Sequence, residues 1–590
     1  MMLSPASDGP PVQRDLRRIC TDLILRQRLI LSASLLLCLV PARAQIQEPD
    51  THADTIYGTV LNAVTHEPIG RALVFSRDNR LATLTDGEGH FQLELPQAAA
   101  REPQSPPSTS ITWLAARKPG FLEDQSPDLQ AAATPGHEIT LSLLPEAIIK
   151  GRLTFPEDDG PMGLTVQLFA RNVQEGIPRW VQQKSEPVNS NGEFRFAELE
   201  PGDYRVGTNE SMDNNPAITI PGGQTYGFPP AYSPGVPDFA RAFTIHVAPG
   251  QVVQADFPLT HQAYYPVRIP VTNPDANGMN VTVSLQGHGG PGYSLGYNAE
   301  RQRIEGSLPN GNYVVAAATF NQNSATGSVG IVIKGAPVDG PDLVLNRNPS
   351  LAVNVREEFS SNSPDSDRSG TFGNGRRSFA VRGPRLYLNL NALNADDFGP
   401  QMSPSLRPPT GPNDDSLVLE NLAPGRYWLM AQTGRGYVAA ATLGGIDLLH
   451  SPFVVSPGAG EPIEITVRDD GAEIEGTLTG VNSTTAQTDA PTTPGSFSGL
   501  QPWVPQAWVY CIPLPDSPGQ FQILAVSSDG KFNSPALAPG SYRILAFKQR
   551  HRDFPYRDAE AMKAYEAKGQ VVHLSSRQKT TLQLQLISNE

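Results

Sequence analysis

Cysteine is almost missing from this chain: 590 residues contain three, Cys20, Cys38 and Cys511. That excludes a disulfide-stapled scaffold, and stability has to come from packed cores. Long apolar runs are also scarce. The best of them, Leu29 to Val40, falls short of the roughly 20 residues a spanning helix needs, so no transmembrane span is expected beyond an N-terminal signal. Basic charge is in deficit, with 45 Lys and Arg against 59 Asp and Glu. A net charge of −14 repels phosphate backbones, so nucleic acid is not an expected partner. The zinc-hydrolase patterns are missing as well. None of the ten histidines is followed three residues later by glutamate, and H-E-x-x-H does not occur. No metal ligand set, cofactor or catalytic residue is expected, and the chain reads as a non-enzyme.

Glycine (53) and proline (56) are plentiful, and they punctuate short apolar runs instead of forming low-complexity tracts. That is the signature of strands joined by turns. At the N-terminus, Arg14, Arg17, Arg18, Arg26 and Arg28 precede the apolar run, and Ala42-Arg43-Ala44 supplies small residues for cleavage before Gln45. Residues 1–44 therefore read as an export signal, with retention as an anchor the alternative. Cleavage removes Cys20 and Cys38, so Cys511 would stand alone. The expected location is the periplasm, the outer cell surface or the medium.

A phrase recurs four times: Leu199-Glu200-Pro201-Gly202-Asp203-Tyr204, Leu308-Pro309-Asn310-Gly311-Asn312-Tyr313, Leu422-Ala423-Pro424-Gly425-Arg426-Tyr427 and Leu537-Ala538-Pro539-Gly540-Ser541-Tyr542. The spacing of about 110 residues is that of one sandwich domain. Pro presets φ at the first corner of a turn, and Gly is expected at positive φ at the second. The strand before the turn, as in Glu193-Phe194-Arg195-Phe196, and the Tyr strand after it are expected to form a β-hairpin. Alternating closing segments such as Ile463-Glu464-Ile465-Thr466-Val467 and Thr581-Leu582-Gln583-Leu584 predict half-buried antiparallel strands.

Ile56-Tyr57-Gly58-Thr59-Val60, then Thr65-His66-Glu67-Pro68-Ile69-Gly70-Arg71-Ala72-Leu73-Val74, then Thr85-Asp86-Gly87-Glu88-Gly89-His90-Phe91 resembles the carboxypeptidase regulatory-like domain family. Residues 56–96 carry the resemblance best; later repeats keep only G-x-F and P-G-x-Y. The first module lacks P-G-x-Y. The resemblance implies an all-β chain of tandem prealbumin-like (transthyretin-like, Greek-key) β-sandwiches, a fold also called carbohydrate-binding-like.

Opening strands near Ile56, Ile148, Tyr265, Leu351 and Ala472 divide the chain into modules 1 to 5, at 52–146, 147–260, 261–347, 348–469 and 470–590. Residues 357–383, 395–415 and 482–501 read as disordered loops. One short helix is expected over 558–568, with Asp558 as N-cap and Gly569 as terminator, packed on the last sandwich.

Two motifs invite chemistry. Gly292-Tyr293-Ser294-Leu295-Gly296 fits G-x-S-x-G, but the flanks 281–285 and 301–304 read as strands of a hairpin, whereas a nucleophile elbow needs a strand-to-helix turn. Asp86-Gly87-Glu88-Gly89 reads as a turn, not a calcium loop. What remains is a binding face. Alternation places Phe75, Tyr387, Trp508 and Tyr510 opposite the core, where aromatics suit stacking on sugar rings or partner proteins. The expected function is a non-catalytic exported binding or scaffold protein of the cell envelope, its partner a polysaccharide or an envelope protein. The alternative is an accessory exported hydrolase with a loop-built site around Ser294.

Overall fold

The computed structural model describes residues 55–76, 78–94, 112–122, 131–133, 138–156, 163–213, 224–272, 278–286, 290, 292–319, 324–360, 370–372, 379–381, 383–396, 398, 404–411, 414–458, 460–479, 507–515, 517–527, 529–551 and 554–587. The export signal and the 482–501 loop lie outside the described residues. The chain is all-β, and among the described residues its sheets form five successive two-sheet sandwiches.

One wiring plan repeats. In each sandwich the opening strand pairs antiparallel with a strand just ahead of the corner and parallel with the closing strand. In module 5, for example, Glu473–Thr479 runs antiparallel to Lys531–Asn533 and parallel to Lys579–Gln585. The same two partners flank Thr55–Asn62, Ala147–Thr154, Gln262–Thr272 and Leu351–Glu358. The closing strands are thus parallel to their openers; the expected antiparallel pairing occurs for Ile463–Arg468 on its other side, against Tyr437–Leu443. Period-two alternation reports one buried face and is silent about strand direction. In three modules the opener carries glycine because its parallel neighbour approaches closely. A Cβ at Gly58, Gly151 or Gly476 would lie 2.1, 2.3 or 2.2 Å from the carbonyl oxygen of Ile139, Ala255 or Leu582.

The four P-G-x-Y-type phrases are not hairpins. Glu193–Leu199 lies in the opener's sheet, while Gly202–Thr208 pairs with Thr165–Gln174 in the facing sheet. The other three corners also carry the chain from one sheet to the other. Each tyrosine ring is buried between the layers, and its hydroxyl donates back to the carbonyl four residues earlier. The bonds are Tyr204 to Glu200 (2.7 Å), Tyr313 to Pro309 (3.1 Å), Tyr427 to Ala423 (2.8 Å) and Tyr542 to Ala538 (2.7 Å). A buried hydroxyl without a partner would cost about 1–3 kcal/mol, so this bond fixes the corner as well as satisfying the ring. The expected positive φ occurs at Gly202 (+158°) and Gly540 (+143°) but not at Gly311 or Gly425. Space is the other constraint: a Cβ on Gly311 would meet the Tyr313 ring at 2.9 Å.

Module 1 keeps this strand without the corner tyrosine. Thr112–Arg117 pairs with Leu73–Ser76, and Glu138–Leu143 closes parallel to the opener. Two additions tie modules together. Thr225–Phe228, from an excursion of module 2, pairs with the module 3 opener, making one continuous sheet across the two. In module 5 the expected helix shrinks to one α-turn, Ala559–Met562, followed by a 3-10 turn, Lys563–Tyr565. Asp558 caps it through bonds from the Glu560 and Ala561 amides, and Gly569 follows at φ +73°. In the segments expected as disordered loops at 357–383 and 395–415, the described residues include ordered contacts. Gly370–Phe372 pairs with Phe379–Val381, and Arg407 bonds Asp414 at 3.1 Å.

Candidate functional site

The four aromatics expected to face outward do not share one fate. Tyr510 is 0% exposed, so it leaves the expected stacking face. It packs with Phe521, Phe547 and Phe554, and its hydroxyl takes the His551 amide at 2.6 Å. The alternation was read correctly, since Tyr510 does point away from the module 5 core. The segment that begins at Phe554 and carries Met562 and Tyr565 folds back over that outer face and covers it. Trp508 is half-buried at the margin of the same layer, with the Arg550 guanidinium 5.0 Å from its ring. Phe75, in module 1, is half-buried with Arg117 at 5.7 Å. Tyr387, expected to face away from the core, instead precedes its strand and packs against the module 4 core, edge-on to Phe359, while donating to Glu357; burial pushes its hydroxyl pKa up. These four residues sit in three modules and build no common surface.

Ser294 is exposed in an irregular loop, and no strand-to-helix turn surrounds it. Nor is the loop the expected hairpin. Met279–Leu285 pairs with Gly311–Thr319 in one sheet, whereas Gly296–Asn298 pairs with Arg303–Pro309 in the other. The Ser294 hydroxyl and amide both donate to Glu210 Oε1, at 2.5 and 2.7 Å. Burial raises the Glu210 pKa, opposed by those two bonds. A serine donating to a carboxylate is a tether between modules 2 and 3, and among the described residues its hydroxyl has no imidazole partner. Asp86 makes a turn, its Oδ1 accepting from the Glu88 and His90 amides at 2.9 and 2.8 Å. Cys511 lies in the module 5 core, where burial pushes its thiol up to about 12 and keeps it an unreactive apolar side chain.

The more informative geometry lies where modules 2, 4 and 5 meet. The outer face of module 2 carries an aromatic cluster of Phe169, Trp180, Tyr232 and Phe239, with the Arg205 guanidinium 4.3 Å from the Trp180 ring and 5.0 Å from Phe239. Phe398 of module 4 packs onto it, 5.2 Å from Phe239 and 6.0 Å from Phe169. Beside it Arg179, 2% exposed, donates to the Asn394 carbonyl at 3.0 Å. The Glu175-Gly176 turn, with both residues at positive φ (50° and 80°), makes a tight two-residue hairpin whose tip abuts module 5. A Cβ on Gly176 would lie 2.8 Å from the Tyr556 ring, and Arg171 pairs with Asp558 at 3.9 Å. Modules 4 and 5 are held by His450 Nε2 donating to the Ser517 carbonyl at 2.9 Å, and by Arg557, 4.7 Å from the Trp428 ring and 3.6 Å from Met430 Sδ.

Between modules 4 and 5 this packing leaves a cleft of about 770 Å³, reached by Glu175 of module 2. Trp428, Met430 and Gln432 form one wall, the outward alternates to the buried Tyr427, Leu429 and Ala431. Phe521, stacked 4.1 Å from Tyr556 with planes 8° apart, and Gln522 contribute to the other. Two buried polar atoms there lack a hydrogen-bond partner, Gln522 Oε1 and Arg557 Nε. Sequence reasoning missed this site. The x in P-G-x-Y-x-L-x marks Trp428 as outward, but nothing local tells that module 5 faces it.

No family model and no curated protein matches this sequence. Solved structures it resembles include the Bacillus anthracis TIE protein, at 9% identity, 74% of this chain and 73% of that one, TM-score 0.13. Another is the RrgB pilus protein of Streptococcus pneumoniae, at 10% identity, 75% and 98% coverage, TM-score 0.13. A third is the two B repeat units of the Staphylococcus aureus collagen binding protein, at 10% identity, 70% and 99% coverage, TM-score 0.12. Likenesses at these scores carry no argument about module arrangement or function.

Proposed function

We propose that this chain is a non-catalytic, exported scaffold protein of the cell envelope, with five modules bounded at about residues 146, 260, 347 and 469. The observation that carries the reading is the junction of modules 2, 4 and 5. Phe398 docked on Phe239, the buried Arg179 bonded to Asn394, and Tyr556 seated on Gly176 lock modules distant in sequence side by side. Such a junction does nothing for a chain of independent beads; it suits a rigid body that presents surfaces in fixed relation. Export rests on the arginine-flanked apolar run before Gln45, and the partners are envelope components. The hydrolase reading loses its main support where Ser294 is held by Glu210.

Two measurements test this. Small-angle scattering of residues 45–590 is expected to give a compact particle whose radius grows in a Phe398→Ala, Arg179→Ala double variant; an extended wild-type chain overturns the rigid reading. Ester or peptide turnover that disappears with Ser294→Ala overturns the non-catalytic one.

A further inference from the structure

We infer that the cleft between modules 4 and 5 is a binding site for a neutral oligosaccharide, an inference that deepens the non-catalytic reading above and rests on it. Its volume of about 770 Å³ falls within the range of about 300–1,000 Å³ typical of sites that enclose small ligands. Its walls alternate flat apolar groups with amides. Half-buried Trp428 and Phe521, engaged by Arg557 and by Tyr556 respectively, line the cleft with ring surface of the kind that packs against the C–H faces of sugars. Gln432, Gln520 and Gln522 each carry a donor and an acceptor on one side chain, matching a hydroxyl, which also does both.

The orphaned atoms point the same way. Gln522 Oε1 accepts nothing and Arg557 Nε donates to nothing, although both are buried. Leaving each unpaired costs about 1–3 kcal/mol, and since neither atom is exposed to the cleft as it stands, a ligand hydroxyl pairs with it only as the side chain turns into the cleft that both residues line. Charge argues against a polyanion. The Glu175 and Glu566 carboxylates in the lining balance Arg557 and Arg543, and Arg543 is already engaged by the Tyr565 carbonyl at 3.2 Å. A strongly charged polymer finds no net field of opposite sign, whereas a neutral polyol needs none.

The test is calorimetric titration of residues 45–590 with cellohexaose, xylohexaose, maltohexaose and chitohexaose, alongside polygalacturonate and unfolded casein. At least one neutral hexasaccharide is expected to bind with Kd below about 1 mM. Trp428→Ala should weaken it about tenfold and Gln522→Ala about threefold, while Trp508→Ala, outside the cleft, leaves it unchanged. Should Trp428→Ala lower the melting temperature, Gln522→Ala, whose side chain sits at the cleft wall, decides alone. Failure of all four neutral sugars, binding of only polygalacturonate or casein, or sugar binding indifferent to Gln522→Ala overturns the inference. None of these results touches the scaffold reading, which stands or falls on scattering and turnover.

Discussion

Modules 1 and 5 share a wiring plan and differ in what lies on the outer face of their second sheets. In module 1 that face carries Leu73, Phe75 and Leu84, and Leu84 is 61% exposed. In module 5 the equivalent face carries Trp508 and Tyr510, and Tyr510 is fully buried because the chain after the Tyr542 strand loops back over it. The same alternation therefore gives an open surface in one module and a second hydrophobic layer in the other. The lesson is that "outward" is set locally and "exposed" is set by what else the chain brings there.

The largest expected effect comes from the corner that module 5 has and module 1 lacks. Tyr542→Ala should destabilise module 5 by about 3–5 kcal/mol, and Tyr542→Phe, which loses only the bond to Ala538, by about 1 kcal/mol. Hydrogen exchange read peptide by peptide suits a chain whose modules need not unfold together; module 1 peptides should not change. If they change as much as module 5, the modules are not separate cooperative units. Next, Phe398→Ala strips the cover from the outer face of module 2 and should cost about 2–4 kcal/mol of junction stability, read as faster exchange around Phe169 and Phe239.

A pH scan sharpens the comparison through two half-buried groups of opposite sign. Burial lowers the His551 pKa in the module 5 outer layer. Its stabilising contribution is complete above its unfolded value, about 6.5, and is lost as pH falls toward and through the folded one. Burial raises the Glu210 pKa at the boundary of modules 2 and 3. Its contribution is complete below its unfolded value, about 4.3, and is lost as pH rises through the folded one. Exchange protection near Tyr510 should thus fall on acidification from neutrality, while protection near Ser294 rises, and Glu210→Gln should flatten the second trend. The smallest effect is Trp508→Ala. With its ring half-buried beside Arg550, it should cost about 1 kcal/mol in thermal melting, well below Tyr510→Ala at about 3–5 kcal/mol. Equal losses would mean that the fold-back segment does not cover the face.

The sequence by itself determined the all-β class, the repeat and the openers, because period-two alternation and the recurring P-G-x-Y phrase act over a few residues. It also determined that Tyr510 turns away from the core, and that Asp558 caps a short helix. Only the tertiary structure decided that the corner joins two sheets instead of two strands of one, since either route presents the same alternation on both sides of a turn. Strand direction at the module ends escaped for the same reason: a closing strand buries the same residues whether it runs parallel or antiparallel to the opener. The junction and the cleft were illegible because they depend on contacts between residues such as Arg179 and Asn394, more than 200 positions apart, whose side chains meet only after whole modules have docked. Local pattern fixes which way a side chain points; what it meets there is a property of the assembled fold.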